Sequence, residues 1–147
     1  MEDIKYVVAH ANENEIISHL WNCNRSFCPT LSERVDINAY GRKIYQKAVT
    51  FEAWKNDELI GLVAAYFNDK ASAFITSVSV TENNMQSGVA SELLRRCIEY
   101  AKELHFREIR LEVYKDNEKA IRFYRKFNFI SIEDQNNLLL MRLPVHL

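Results

Sequence analysis

The chain is poor in the residues that punctuate or staple a structure: of 147 residues, three are glycine, two proline and three cysteine. No internal repeat, low-complexity tract or linker is evident. Cys23, Cys28 and Cys97 are odd in number and match no zinc-ligand spacing, so they read as free thiols, with Cys97 on an apolar helix face. An excess of charge is also missing, because 19 basic residues face 20 acidic ones. That balance speaks against nucleic acid as a partner, and no basic run suggests a membrane surface. No apolar stretch reaches the length of a membrane span, and the opening MEDIKYVV is acidic, unlike a signal peptide. A cytoplasmic protein is expected. The histidines His10, His19, His105 and His146 are scattered, and each reads as structural or solvated. No metal-ligand motif is present, and none is expected to be needed.

What the chain does contain is apolar material, 48% hydrophobic with 12% aromatic, enough for one sizeable core. A single domain over residues 1–147 is expected. Ile4–Ala9 reads as a first strand, and Asn12–Asn22 as a helix capped by Asn12. A second helical region over Leu31–Ala48 contains Asp36 as a cap, with Tyr40, Ile44 and Ala48 at four-residue spacing. Val49–Lys55 alternates apolar and polar residues, Asn56-Asp57 is turn chemistry, and Leu59–Phe67 is apolar enough for a buried strand. Ala73–Thr81 is the next strand. The clearest helix runs over Gly88–Leu104, with Ala90, Leu93, Leu94, Cys97, Ile98, Ala101 and Leu104 on one face. Arg107–Tyr114 alternates again, so a βαβ unit with parallel strands is expected. Asn117 opens a short helix carrying Ala120, Ile121, Tyr124 and Phe127 on one face, and Asn128 follows as a left-handed C-cap. Phe129–Glu133 and Leu138–Leu143 form a last hairpin around Asp134–Asn137. The order β-α-α-β-β-β-α-β-α-β-β specifies a layered α/β fold with a mixed sheet.

The stretch Ile75–Leu94, ITSVSVTENNMQSGVASELL, is a strand, a polar loop around one glycine, and a helix start. The first N–H groups of a helix lack partners within it and point outward, so this junction suits a phosphate group.

Three pieces of the sequence together resemble the GCN5-related N-acetyltransferase (GNAT) family over roughly Phe51–Leu143. They are SVSV followed by Gly88-Val89-Ala90, similar to the acetyl-CoA motif Q/R-x-x-G-x-G/A; LEVYKDNEKAIRFYRKFNF; and the hairpin WKNDELIGLVAAY. The resemblance implies a three-layer fold with a centrally splayed sheet and acetyl-CoA as co-substrate. It implies that backbone N–H groups of Gln86, Ser87, Gly88, Val89, Ala90 and Ser91 hold the pyrophosphate. Backbone groups of Val78 and Val80 would pair with the pantetheine arm, and the Val78 amide would face the thioester oxygen. Asn117 would contact the arm, and Tyr124 would protonate the leaving thiolate. Acyl transfer to an amine needs a neutral amine, aligned substrates, a donor to the oxyanion and a proton for the thiolate. One preorganised oxyanion donor contributes about 10²–10³ in rate.

Met85 stands where the family usually has Gln or Arg, Asn128 replaces the usual Gly, and Ser77 stands where many members carry an acid. The general base is therefore sought at Glu52, at Glu112, or in a water chain. The acceptor site is expected between Trp21 and Tyr45, with Tyr66 and the last hairpin, and with Asn22, Asn24, Arg25 and Tyr40 as polar or aromatic groups. Arg25 would suit an acidic acceptor, though a solvated loop arginine is the plainer reading. SERVDINAYGRKIYQKAVTFEAW is similar to small acetyltransferases of surface-polysaccharide clusters, which favours an amino sugar. The expectation is N-acetyl transfer from acetyl-CoA to a primary amine of a small molecule. A protein or peptide acceptor and a non-catalytic acyl-CoA-binding module are the competing readings. The resemblance is also compatible with a homodimer.

Overall fold

The computed structural model describes residues 3–145; His146 lies outside them. Seven strands form one sheet in the order β1-β2-β3-β4-β5-β7-β6. In chain order these are β1 (Lys5–Val8), β2 (Val49–Lys55), β3 (Glu58–Asp69), β4 (Ser72–Val80), β5 (Glu108–Tyr114), β6 (Ile130–Gln135) and β7 (Leu138–Pro144). Helices α1 (Glu13–Asn22) and α2 (Ile37–Lys47) cover part of one face, and α3 (Val89–Glu103) and α4 (Glu118–Lys126) belong to the other. The expected element order and layering are present. Every pairing is antiparallel except β4 with β5, which is parallel.

Local chemistry explains most boundaries. Asn12 caps α1 through a complete capping box with Glu15, at 2.8 and 2.9 Å. Asp36 accepts from the Ala39 N–H at 3.1 Å and starts α2. The second helical region is therefore shorter than expected. Only a 3₁₀ turn, Leu31–Glu33, precedes Asp36, because that cap begins a new helix instead of lying inside one. Asn56 and Asp57 both adopt positive φ, 52° and 62°, which closes the β2–β3 hairpin with a two-residue turn. The last hairpin turns at Asn136-Asn137, so Asp134 and Gln135 extend β6 instead of forming loop. Gly61 is required by close approach: a Cβ there would meet Val89 Cγ1 at 2.7 Å.

Two apolar clusters lie on opposite faces. The larger joins Phe51, Val63, Ile75, Leu93, Leu94, Ile98, Leu111 and Phe129 beneath α3 and α4. The smaller joins Ile16, Leu20, Ile37, Ile44, Leu59 and Leu62 beneath α1 and α2. Among the described helices, none is long and apolar enough to cross a membrane.

Candidate active site

The sheet opens where β4 and β5 part. Their parallel pairing covers Ser72–Ile75 against Glu108–Leu111 and then stops. At the same place the β3–β4 register skips a residue, with Ala64 opposite Ser77 and Ala65 opposite Ile75. Thr76 is thus a bulge without a partner on β3, and bulges bend strands. Its carbonyl accepts a hydrogen bond from Tyr40 Oη at 2.6 Å, and its Oγ1 donates to Tyr40 Oη at 2.7 Å. A side chain from α2 therefore satisfies the first main-chain acceptor that β5 leaves behind.

Beyond the bulge, alternation fixes which groups face the gap. The Thr81 N–H donates to the Ile60 carbonyl at 2.8 Å. In an antiparallel ladder, residues alternate between bonding to the partner and turning away. Ser79 and Ser77 therefore turn their main chain toward β3, and Val78 and Val80 turn theirs toward β5 and the gap. The gap opens into a cleft of about 430 Å³. Val78, Val80, Gln86, Gly88, Val89, Ala90, Ser91, Asn117 and Tyr124 all line it, so the structure brings these expected site residues together. Met85, the first departure, lines it too. Ser87 does not, because its hydroxyl turns back onto the Asn84 carbonyl.

The loop before α3 is built for an anion. Gln86 and Gly88 take positive φ, 63° and 86°, and Gly88 is the N-cap residue of α3. No side chain caps the helix, which leaves its first N–H groups open to the cleft. A Cβ on Gly88 would meet nothing within 4 Å, so backbone conformation and not crowding demands glycine there. Lys119 and Lys126 of α4 line the same cleft and add positive charge. A pyrophosphate fits this combination of bare amides, open space and two ammonium groups. Sequence reasoning missed both lysines, although their seven-residue spacing on a short helix was visible.

Asn117 caps α4, its Oδ1 accepting from the Ala120 N–H at 3.2 Å. That leaves the Asn117 amide N–H₂ free to donate into the cleft. Tyr124 is 9% exposed and packs edge-on against Phe123 and Phe129. Its hydroxyl makes no hydrogen bond among the described residues, and burial pushes its pKa above the ordinary tyrosine value.

Glu52 must be corrected. It is fully buried and is not among the residues that line this cleft. Its carboxylate accepts from the His10 and Ala11 N–H groups at 3.1 and 3.0 Å, from Thr50 Oγ1 at 2.6 Å and from Trp54 Nε1 at 2.9 Å. A general base must reach the proton that it removes. Glu52 instead ties the β1–α1 connection to β2. Glu112 is exposed on β5 and also lies outside the cleft lining. Among the described residues that line the cleft there is no carboxylate or histidine.

His19 is structural, and more tightly held than expected. It is 1% exposed, its Nδ1 donates to the Leu59 carbonyl at 2.9 Å, and its Nε2 then accepts from Ser79 Oγ at 2.9 Å. Burial lowers its pKa to about 4, so it is neutral at pH 7. Nothing in the sequence tied it to β4, which lies 60 residues away. Cys23 and Cys97 are buried, and burial pushes both thiols up to about 12, which removes them as nucleophiles. Asn24 opens a second 3₁₀ turn, Asn24–Ser26, and its Oδ1 accepts from the Ser32 N–H of the Leu31–Glu33 turn at 2.7 Å. Arg25 is exposed, as the plainer reading has it, while Ser26 and Phe27 beside it line the cleft.

Comparison with known proteins gives a consistent result. The sequence pattern of the acetyltransferase (GNAT) family matches residues 13–129. Streptothricin acetyltransferase A of Bacillus subtilis (strain 168) is 34% identical over 80 residues, which are 54% of this chain. The match spans 46% of that relative, so the chain covers about half of its length. The PaiA N-acetyltransferase of Thermoplasma acidophilum, solved in complex with coenzyme A, superposes with a TM-score of 0.75 at 14% identity, covering 95% of this chain and 99% of that one. The ribosomal-protein-S18-alanine N-acetyltransferase of Escherichia coli gives 0.77 at 13% identity, covering 100% and 96%. At such identities the structural likeness speaks for the fold, while the sequence match extends over most of the chain. With the splayed strands, the glycine loop and the Asn117–Tyr124 segment in their places, this chain belongs to the acetyltransferase (GNAT) family.

Proposed function

We propose that the protein transfers the acetyl group of acetyl-CoA directly to a primary amine of a small molecule. One observation supports this most: the turned-out main chain of Val78 and Val80, the bare N-terminus of α3 and the Tyr124 side chain all line one cleft. Acetyl-CoA, when bound, supplies an acyl group activated as a thioester. The α3 amides, with Lys119 and Lys126, would hold its pyrophosphate, and Val78, Val80 and Asn117 its pantetheine arm. The Val78 N–H is then a preorganised donor for the carbonyl oxygen on which negative charge develops.

Proton bookkeeping follows from the side chains. The Tyr124 hydroxyl is neutral at any working pH and holds a proton for the departing sulfur. The amine gives up one proton as its new bond forms, and with no carboxylate in the cleft lining that proton leaves through water. The tyrosine recovers a proton from solvent, and the balance closes. A neutral amine is needed at the start, so kcat/KM rises with pH until the acceptor amine is deprotonated.

The named relatives do not separate acceptor classes, since one carries a small molecule in its name and another a protein alanine. A small acceptor is supported by the hydroxyls gathered at the bulge, those of Tyr40 and Thr76. An amino sugar fits those hydroxyls. Thiol release from acetyl-CoA should therefore appear with at least one amine in a panel of amino sugars, amino acids and polyamines. Release only with peptide N-termini or lysine peptides would move the acceptor to protein. Binding of acetyl-CoA without release on the whole panel would leave an acyl-CoA-binding module.

A further inference from the structure

Helices α1 and α2 pack on β2 and β3, and the β5 part of that face carries groups the transfer reading leaves unused. Ile109, Leu111 and Val113 of β5 belong to the core beneath α3, so Arg110, Glu112 and Tyr114 point to the open face. Along its rim stand Arg34, just before α2, and Lys43 within it. The Arg34 guanidinium lies 5.6 Å from the Phe27 ring centre and 5.4 Å from that of Tyr114. Lys43 Nζ lies 5.4 Å from the Tyr66 ring centre. Among the described residues neither cation has an ion-pair partner, whereas Arg110 and Arg142 share the one carboxylate of Glu108. Stacking on aromatic faces fixes the Arg34 plane and leaves its in-plane N–H donors free.

Inside this rim two hydroxyls are buried without a hydrogen-bond partner, Tyr66 Oη and Ser77 Oγ. Ser77 is only 4% exposed. Ser77 lies near the Tyr40 hydroxyl and Tyr66 near that of Thr76, yet neither meets hydrogen-bond geometry, because the Tyr40–Thr76 pair already uses its donors on itself. Native structures rarely leave buried hydroxyls unpaired, so two together mark a place where bound polar groups finish the bonding. Phe27 connects the two halves of the site, since it lines the acyl cleft and also lies against Arg34.

We propose that the acceptor amine carries an anionic group, a carboxylate or a phosphate, which Arg34 and Lys43 hold while Tyr66 and Ser77 bond its polar body. This rests on the acetyl-transfer reading, and it assigns that reaction's specificity to the two unpaired cations of the rim, with Glu112 the carboxylate on the same face. The guanidinium forms paired bonds to either anion, and Lys43 adds a mobile second charge.

Matched amines test it: a free amino acid against its carboxamide, and an amino sugar against its phosphate ester, each pair compared at equal concentration of the neutral amine, because losing the carboxylate lowers the amine pKa. Binding to CoA-loaded protein is read by calorimetry, and turnover by thiol release. The anionic member of one pair should bind roughly 10- to 100-fold tighter, as expected for charge-assisted bonds. The pair that shows the preference separates carboxylate from phosphate. Arg34→Gln should erase most of it by raising KM more than it lowers kcat, Lys43→Gln part of it, and Arg34→Lys should keep some. CoA affinity should be unaltered in all three variants, which also reports that they fold. Neutral partners binding as well as the anions, no binding of either pair, or a preference that survives in Arg34→Gln and Lys43→Gln would overturn the proposal. The two readings fail separately. Anion preference in binding without thiol release removes the transfer and keeps the site, while thiol release indifferent to charge does the reverse.

Discussion

The two sides of β4 solve different problems with different parts of the chain. Toward α3 and α4 the site is made of main chain: the Val78 and Val80 edge, the α3 amides and the Gly88 turn. Toward α1 and α2 it is made of side chains brought from afar: Arg34, Tyr40, Lys43, Tyr66 and Ser77. The polar groups of that second side divide again. Glu52, His19 and Ser79 are buried and saturated with hydrogen bonds, whereas Tyr66 and Ser77 are buried and unsaturated. Saturated groups hold the fold together, and unsaturated ones are free to meet a ligand. Substitutions should therefore separate cleanly into those that cost stability and those that cost turnover.

The largest effect is expected at Glu52. Glu52→Ala leaves two backbone N–H groups, the Thr50 hydroxyl and the Trp54 indole without their acceptor. The cost should be about 4 kcal/mol of unfolding free energy in urea, within the range for a broken buried charge network. Turnover per folded molecule should stay near wild type, because the carboxylate is outside the lining of the acetyl-CoA cleft. A tenfold loss of kcat in folded Glu52→Ala would put it back among the bases.

Next comes His19. Its pKa is about 4 in the folded chain against 6.5 for the free side chain, so between those values the unfolded state binds more protons. Its contribution is therefore complete above about pH 6.5 and is lost as pH falls toward 4, by about 3 kcal/mol in all. Unfolding free energies of wild type and His19→Gln, followed across that window, should converge by this amount as pH falls. Parallel curves would mean that His19 is not held neutral.

On the cofactor side the effects move to rate and affinity. Tyr124→Phe should lower kcat about 10²-fold, the lower range for loss of a positioned acid, with CoA affinity nearly unchanged. Full turnover in that variant would remove the proton role. Gly88→Ala forces a side chain into the left-handed region at a cost of about 1–2 kcal/mol, so CoA should bind roughly tenfold more weakly by calorimetry.

The same division decides what was legible in the sequence. The α3 stripe, the Gly88 loop, the Asn117 cap and the turns are local, because one segment carries each with its own spacing. The main-chain half of the site follows from them once the order of elements is known. Glu52 misled for a physical reason, since an alternating strand says which face a residue takes but not what arrives to cover it. What covers Glu52 is the β1–α1 connection and Trp54, through backbone N–H groups that no sequence pattern marks. The His19–Ser79 bond and the Arg34 stack on Phe27 and Tyr114 are likewise products of topology. Each joins residues at least 60 apart in the chain or draws together three separate segments.

The smallest effect tests the contrast most directly, because it compares two serines on one strand. Ser77 and Ser79 are two residues apart on β4, and both are buried, at 4% and 8% exposure. Ser79 donates to His19 Nε2, while Ser77 has no partner. Ser79→Ala leaves the buried imidazole nitrogen only the Cys23 thiol, a weak donor at 3.6 Å, and should cost about 1–3 kcal/mol. Ser77→Ala removes a hydroxyl that was already alone, so stability should change by less than about 0.5 kcal/mol, or rise slightly. Its effect should appear instead in the acceptor KM, with the KM for acetyl-CoA unmoved. If Ser77→Ala destabilised the fold as much as Ser79→Ala, the hydroxyl would have a structural partner. The acceptor side would then have lost the unsatisfied group that distinguishes it from the saturated cluster around His19.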